Sequence, residues 1–384
     1  MDSISTKQIE RPINLDWSLG FSCNVANSVH SLKNEERNAI FYISSHTGII
    51  HDLDNNKQHL LQGHRNAISS LAISDDKRWI ITGEQGDDAM IIIWDALNGQ
   101  VRKILTSTDS VAHLNISSNS MYIASLSQTF PQKINIYNWT NDDNEPQYTH
   151  ILDEKLEYQH SIIFDPLNDQ ELVTNGPSKV IFWTIDTQDE KLNAFYPHNN
   201  VHKMKKNIGE FTQTTFLPET TKVATATDKG YIVLWDYPIE DTNETVRNVL
   251  KVFNVSKKGG INLMKTVLDR FIVCGCSDGS VRFFDFHFRA LAWFEHINAG
   301  SISSISFVYD PILEDLFASK SVDDISMDNF EAPEFMVATK KGIMLFIDSN
   351  TMQEIDETKR IGKLLIQGFN GSVHGLSSHP LKPI

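Results

Sequence analysis

Short apolar runs broken by polar turns set the rhythm of this chain. Between Ile68 and Ile73, apolar and small polar residues alternate, as in a strand with one buried side. A polar turn at Asp75-Asp76 leads to a second short strand, Trp79–Thr82. After a Gly/Asp-rich turn a third follows, Met90–Trp94. The third-strand pattern recurs as Gly48–Asp54, Ala89–Asp95, Lys133–Tyr137, Lys179–Trp183, Gly230–Asp236, Gly279–Asp285 and Gly342–Asp348. Second strands precede these at Tyr122–Ser125, Glu171–Thr174, Lys222–Thr225, Arg270–Val273 and Phe335–Ala338. First strands are predicted at Val111–Ile116, Ser161–Phe164, Thr212–Phe216, Gly260–Met264 and Ile302–Phe307. β-Branched content supports strands throughout, and no amphipathic helix of useful length interrupts them. A unit of this size cannot bury both of its faces alone, so it must stack on its neighbours.

The unit from Leu60 to Asp95 opens on Gly63-His64 and closes on Trp94-Asp95, and so resembles a WD repeat. Seven units at intervals of about 41–63 residues, around the WD period, predict an all-β, seven-bladed WD-repeat β-propeller. In such a blade His64, Thr82, Asp88 and Trp94 fall where a buried hydrogen-bond chain runs from indole to hydroxyl to imidazole to carboxylate. A chain of this kind stabilises a fold only when every member is paired. The same residue types also occur in catalytic sets, but here they serve better as staples of the blade. The large residue before the closing Asp is predicted to wedge between adjacent sheets: Leu53, Trp94, Tyr137, Trp183, Trp235, Phe284 and Ile347. Only the His64 unit carries all four members of the chain. The unit ending at Phe284 keeps Asp278 but lacks the indole. The unit ending at Trp235 has Lys229 at the usual Asp position.

The two ends are less regular. Residues 1–13 read as a polar tail and residues 14–367 as the propeller. Residues 368–384 read as the first strand of a further blade or second propeller, truncated or completed by a partner. That expectation rests on Leu364–His379, a degenerate copy of His59–Ser74. An inner strand without its blade leaves an edge unpaired. The alternative is that Ser372–Ser378 closes the ring locally. At the other end, Asn14–Gly20 is either the inner strand of the first blade or an outer strand of the last, with Asn24–Leu32 then as the inner strand.

A net charge of −15 argues against nucleic acid as a partner, because phosphate binding needs a basic face. Three cysteines, Cys23, Cys274 and Cys276, form no disulfide framework and suit a reducing compartment. Cys274 and Cys276 share one face of a strand but lack the further ligands a metal site requires, so packing is expected. The polar start has no signal-peptide core, and no run approaches the roughly 18 apolar residues of a membrane span. There is no Gly-x-Ser-x-Gly elbow, His-Glu-x-x-His, phosphate loop or Cys/His cluster. Neither a catalytic residue, a metal, a cofactor nor a small-molecule substrate is therefore expected.

Loops of a propeller alternate between two faces. First-to-second and third-to-fourth connections share one, here the lower face. It carries Asp75-Asp76, Asn141–Glu145, Glu240-Asp241, Glu354–Glu357 and the insertion Asp310–Glu334. The insertion holds Glu314, Asp315, Asp323, Asp324 and Asp328, without the Asp/Asn spacing and Gly of a calcium loop. It reads as a solvated segment or as a docking element for a basic partner. The upper face holds Arg65, the run His202–Lys206 with Lys203, Lys205 and Lys206, and the pair Lys257 and Lys258. This basic spot is a candidate for an acidic partner, against the plainer reading of solvated lysines.

Five stretches together point further: Asn14–Gly20, Phe41–Ile50, His59–His64, Arg78–Thr82 and Ile91–Ala96. Over roughly residues 14–100 the chain resembles the cilia- and flagella-associated WD-repeat proteins of the radial-spoke base. Beyond that it keeps only the WD pattern. The resemblance implies a tandem of two propellers. It also implies a non-enzymatic scaffold of the ciliary or flagellar axoneme, hence cytoplasmic and cytoskeletal. Implied partners are other radial-spoke-base proteins, including subunits of the calmodulin- and spoke-associated complex, and tubulin of the doublet microtubule. No binding residue carries over, because the matching motifs form the fold. The competing expectation is a general WD-repeat peptide-binding adaptor in a cytosolic complex, reading peptides through an aromatic or acidic cage at the channel mouth.

Overall fold

The computed structural model describes residues 15–34, 37–107, 109–198, 201, 207–238, 246–295, 297–308, 325, 330–348 and 362–368. Among them, 28 strands form seven four-stranded antiparallel sheets, and the protein is an all-β seven-bladed β-propeller. Within every sheet the spatial order of strands is the sequence order. Blade 1 runs Val29–Ser31, Ala39–Ser44, Thr47–Asp52 and Lys57–Gln62. Inner strands of blades 2 to 7 are Ile68–Ile73, Val111–Ile116, Ser161–Phe164, Phe211–Phe216, Ile261–Val267 and Ile302–Phe307. These differ from the predicted first strands by at most a few residues at an end.

The hydrophobic gradient across a blade follows from its place in the ring. In the third strand of blade 2, Met90–Asp95, both faces meet a neighbouring sheet, and Ile91, Ile92 and Ile93 are all sealed. Its outer strand, Val101–Thr106, buries only Leu105. Continuous apolar runs therefore mark the middle of a blade and sparse ones its rim. Seven apolar clusters lie between adjacent blades. Trp94, Tyr137, Trp183, Trp235, Phe284 and Ile347 are buried, each in the cluster facing the preceding blade. Burying one such side chain contributes about 1.5–3 kcal/mol. Leu53 departs from this set. It lies one residue beyond the third strand of blade 1 and is only partly buried. The second-to-last position of that strand, where blade 2 has Trp94, holds His51. The His51 ring meets Trp17 and Tyr42 edge-on, with centroids 5.4 and 6.4 Å away.

Neither strand role expected for Asn14–Gly20 is seen among the described residues, whereas the inner strand expected within Asn24–Leu32 is present. Residues 15–20 form no strand. The inner strand of blade 1 is Val29–Ser31, and blade 7 supplies its own outer strand, Lys363–Gln367. The N-terminal stretch instead lies against blade 1. The Ser18 N–H donates to Gln58 Oε1 (2.8 Å), and Gln58 Nε2 donates back to the Ser18 carbonyl (3.0 Å). Phe21 packs on the cluster between blades 7 and 1. Residues 369–384 lie outside the described residues, and with them most of the predicted extra strand.

Among the described residues no strand is shared between first and last blades, and the ring closes at the hub through one backbone hydrogen bond, from the Asn27 N–H to the Ser303 carbonyl (3.0 Å), and through side chains. Ser304 Oγ donates to the Val29 carbonyl (2.9 Å), and the Ser31 N–H donates to Ser306 Oγ (2.8 Å). The same device recurs around the ring. Ser70 Oγ accepts the Leu114 N–H (2.9 Å), Asn115 Oδ1 the Phe164 N–H (2.9 Å), and Gln213 Oε1 the Met264 N–H (3.1 Å). Inner strands of neighbouring blades share no sheet among the described residues, and short polar side chains bridge their edge groups. An unbridged buried N–H costs about 1–3 kcal/mol.

Two residues of the acidic insertion bear on its character. Ile325 is buried in the cluster between blades 6 and 7, and Phe330 packs edge-on against Phe271 with centroids 5.0 Å apart. The insertion is therefore anchored in the core at these two points. Glu314, Asp315, Asp323, Asp324 and Asp328 lie outside the described residues.

Candidate functional site

Blade 2 concentrates the residues most like a reactive set. Thr82 and Glu84 are two apart on the strand Trp79–Glu84, so both side chains leave the same face. The Trp94 indole N–H donates to Thr82 Oγ1 (2.8 Å), and His64 Nε2 lies 2.7 Å from the same hydroxyl. His64 Nδ1 lies 3.3 Å from Glu84 Oε2. The tautomer carrying its proton on Nδ1 faces the carboxylate and leaves Nε2 to accept from Thr82. The approach is too poorly aligned for a good hydrogen bond, so this link is mainly electrostatic. Glu84 also accepts the N–H groups of Arg65 and Asn66 at 2.8 Å and of Met90 at 3.1 Å.

The carboxylate of this chain is thus Glu84, not Asp88. Asp88 is exposed, in a turn at a left-handed φ of 53°. Glu84 is 1% exposed and gathers three backbone donors, which an exposed aspartate in the turn beyond the strand is not placed to do. Burial lowers the His64 pKa, opposed by the attraction of Glu84. His64, Thr82, Glu84 and Trp94 are all buried, so no substrate reaches the hydroxyl, which is already committed on both sides. The chain ties the blade's entry loop to its second and third strands.

Shorter versions appear in two other blades. The Trp183 indole N–H donates to Thr174 (3.0 Å) and that of Trp235 to Thr225 (2.9 Å), with Thr214 2.9 Å from Thr225. In the next blade Asp278 pairs with Arg282 at 3.1 Å instead of joining such a chain.

A channel of about 280 Å³ runs along the hub. Its wall includes His30, Asp75, His113, Asn115, Gln213 and Lys265, and among the described residues no Phe, Tyr or Trp. The aromatic cage imagined for a peptide reader is therefore absent from this wall, and Asp75 is its only acid. The polar side chains already bridge inner strands. Lys265 Nζ donates to the Ile305 carbonyl (2.9 Å), and burial brings its pKa down to about 8. Burial likewise lowers His30 to about 3 and His113 to about 4.

Of the basic upper-face candidates, Lys257 and Lys258 are exposed in the turn after the outer strand of blade 5. Lys203, Lys205 and Lys206 lie outside the described residues. Cys274 and Cys276 are buried side by side on one strand, and burial raises both thiols, Cys276 to about 11. Among the described residues no group of three or more His, Cys, Asp or Glu is placed to hold a metal ion.

Fold and site together define a class: a WD-type propeller whose reactive-looking residues are sealed inside a blade and whose rims and faces stand open. Comparison with known proteins narrows the class. Residues 13–352 match the family described as the CFAP251 N-terminal domain, and the chain belongs to that family. It is 32% identical to cilia- and flagella-associated protein 251 of Tetrahymena thermophila over 96% of its length. It is 28% identical to the protein of that name from Chlamydomonas reinhardtii, also over 96%. A fainter similarity, 24% over 71% of the chain, links it to mouse cilia- and flagella-associated protein 44. The chain spans 39% and 47% of the Tetrahymena and Chlamydomonas proteins.

Proposed function

We propose that this chain is a non-enzymatic scaffold of the cilium or flagellum, docking subunits at the base of a radial spoke on the doublet microtubule. The observation that carries the ciliary part is the match along almost the whole chain to proteins named cilia- and flagella-associated protein 251. The scaffold part draws on physics. A ring whose blades are bridged at the hub and wedged by large apolar residues is stiff, and stiffness suits holding a spoke at a fixed place. Loops and rims then choose the partners, here subunits of the calmodulin- and spoke-associated complex and tubulin.

Proximity labelling from this chain in ciliated cells, read by mass spectrometry, tests the proposal. Enrichment of radial-spoke-base proteins and tubulin is the expected result. A labelled set without axonemal proteins rejects the ciliary assignment. A general adaptor would instead label a cytosolic complex.

A further inference from the structure

We propose that the bowl between blades 2 and 3, at the outer rim of the lower face, is a docking site for an extended acidic peptide. The bowl encloses about 610 Å³. Its floor is aromatic: Trp79 and Trp139 meet edge to face with centroids 5.0 Å apart. Trp139 is held in place by its indole N–H, which donates to the Ser120 carbonyl (2.7 Å). The rim is cationic. The Arg78 guanidinium stacks 4.9 Å above the Trp79 ring, and about half of its side chain remains in solvent. Its one carboxylate neighbour, Asp95, is 4.0 Å away and already accepts the Leu97 N–H at 2.9 Å. Arg102 is exposed on the opposite side, with no carboxylate in ion-pair range among the described residues. Lys103 anchors the wall by donating to the carbonyls of Asn141 and Asp143 (2.7 Å to Asp143). Asp142 stands exposed at the lip and is the one free acid of the lining.

Charge selects the occupant. On a chain of net charge −15, a bowl with two solvent-facing guanidinium groups is a local exception. Guanidinium forks match carboxylates in a bidentate way, and the aromatic floor shields the pair from water. Geometry selects an extended segment. Arg102 and Lys103 belong to the outer strand Val101–Thr106, whose far edge pairs with no strand among the described residues, being touched only at Thr106 by Tyr137 and Glu145, and whose Val101 and Ile104 are 45% and 42% exposed. A register shift between Lys103 and Val101 leaves Arg102 out of the paired ladder, facing the bowl. A peptide laid along this edge gains main-chain hydrogen bonds while its carboxylates reach Arg78 and Arg102.

The site is independent of the ciliary assignment and is tested on the purified chain. A fluorescent glutamate-rich dodecapeptide is titrated by anisotropy at low salt, beside its glutamine counterpart. Binding of the glutamate peptide, at least ten-fold tighter than the glutamine one and weakened by salt, is expected. The double substitution Arg78→Glu with Arg102→Glu is expected to weaken it at least ten-fold. Arg78→Lys with Arg102→Lys, keeping charge but not the fork, loses only a few-fold. A lysine-rich dodecapeptide is expected to bind the glutamate variant better than the wild type, which excludes loss of folding as the cause. Equal binding of the glutamine peptide, an unaffected glutamate variant, or equal competition by an oligonucleotide of the same charge overturns the proposal.

Discussion

Removing the hydroxyls of Ser304 and Ser306 is expected to open the seam between blades 7 and 1. Ser304 Oγ lies 2.9 Å from the Val29 carbonyl and 3.3 Å from its N–H, and Ser306 Oγ accepts the Ser31 N–H at 2.8 Å. Val29 and Ser31 are 1% and 3% exposed, so water does not replace these partners readily. Each orphaned backbone group costs about 1–3 kcal/mol, and the double alanine variant orphans at least two, for about 2–6 kcal/mol. This is a large share of the 5–15 kcal/mol that separates native from unfolded domains. Urea denaturation measures the loss, and hydrogen exchange resolved by peptide locates it. Exchange is expected to rise first in Val29–Ser31 and Ile302–Phe307, with the inner strands of blades 2 to 4 protected. Ser70→Ala, which orphans the Leu114 N–H at an ordinary junction, is the control and should leave the seam closed. A double variant within 0.5 kcal/mol of wild type, with unchanged exchange at both seam strands, would refute closure through the hub hydroxyls.

Further outcomes follow from the same structure. Thr82→Val strands the Trp94 indole and His64 together and is expected to cost about 2–4 kcal/mol in denaturation, whereas Asp88→Ala changes stability by less than about 0.5 kcal/mol. Burial holds His30 near 3 and His113 near 4 in the folded chain, below the ordinary imidazole value of 6.5, so the unfolded chain binds their protons first. Their contribution is full above pH 6.5 and is lost as the pH falls towards 4 for His113 and towards 3 for His30. His30→Gln or His113→Gln should flatten the acid limb of the stability curve by up to about 1.4 kcal/mol per pH unit. A thiol reagent is expected to label Cys23 alone in the native protein and all three cysteines in denaturant, because Cys274 and Cys276 are buried with raised pKa.

What the sequence disclosed depended on whether the signal was local. The third strands were legible because each blade's centre is apolar on both faces, which leaves an unbroken run such as Met90–Trp94. The carboxylate of the blade 2 chain was misplaced because spacing pointed to Asp88. Strand parity held the better clue, since Glu84 follows Thr82 by two and shares its face. The hub bridges had no local signature. They join residues such as Ser70 and Leu114, 44 apart, or Ser31 and Ser306, 275 apart, and a lone serine on an inner strand does not announce its partner. Ring closure was legible only in part: an inner strand within Asn24–Leu32 was among the expectations, but the WD pattern says nothing of the hydroxyls that bridge blades 7 and 1. The Trp79–Trp139 bowl was invisible because its parts come from two blades.

Cryo-electron tomography of cilia or flagella carrying a density tag on this chain bears most directly on its role. The account predicts a disc-shaped propeller, with the tag beside it, at the base of a radial spoke where it meets the doublet microtubule. Tag density anywhere else, or none along the axoneme, would contradict it.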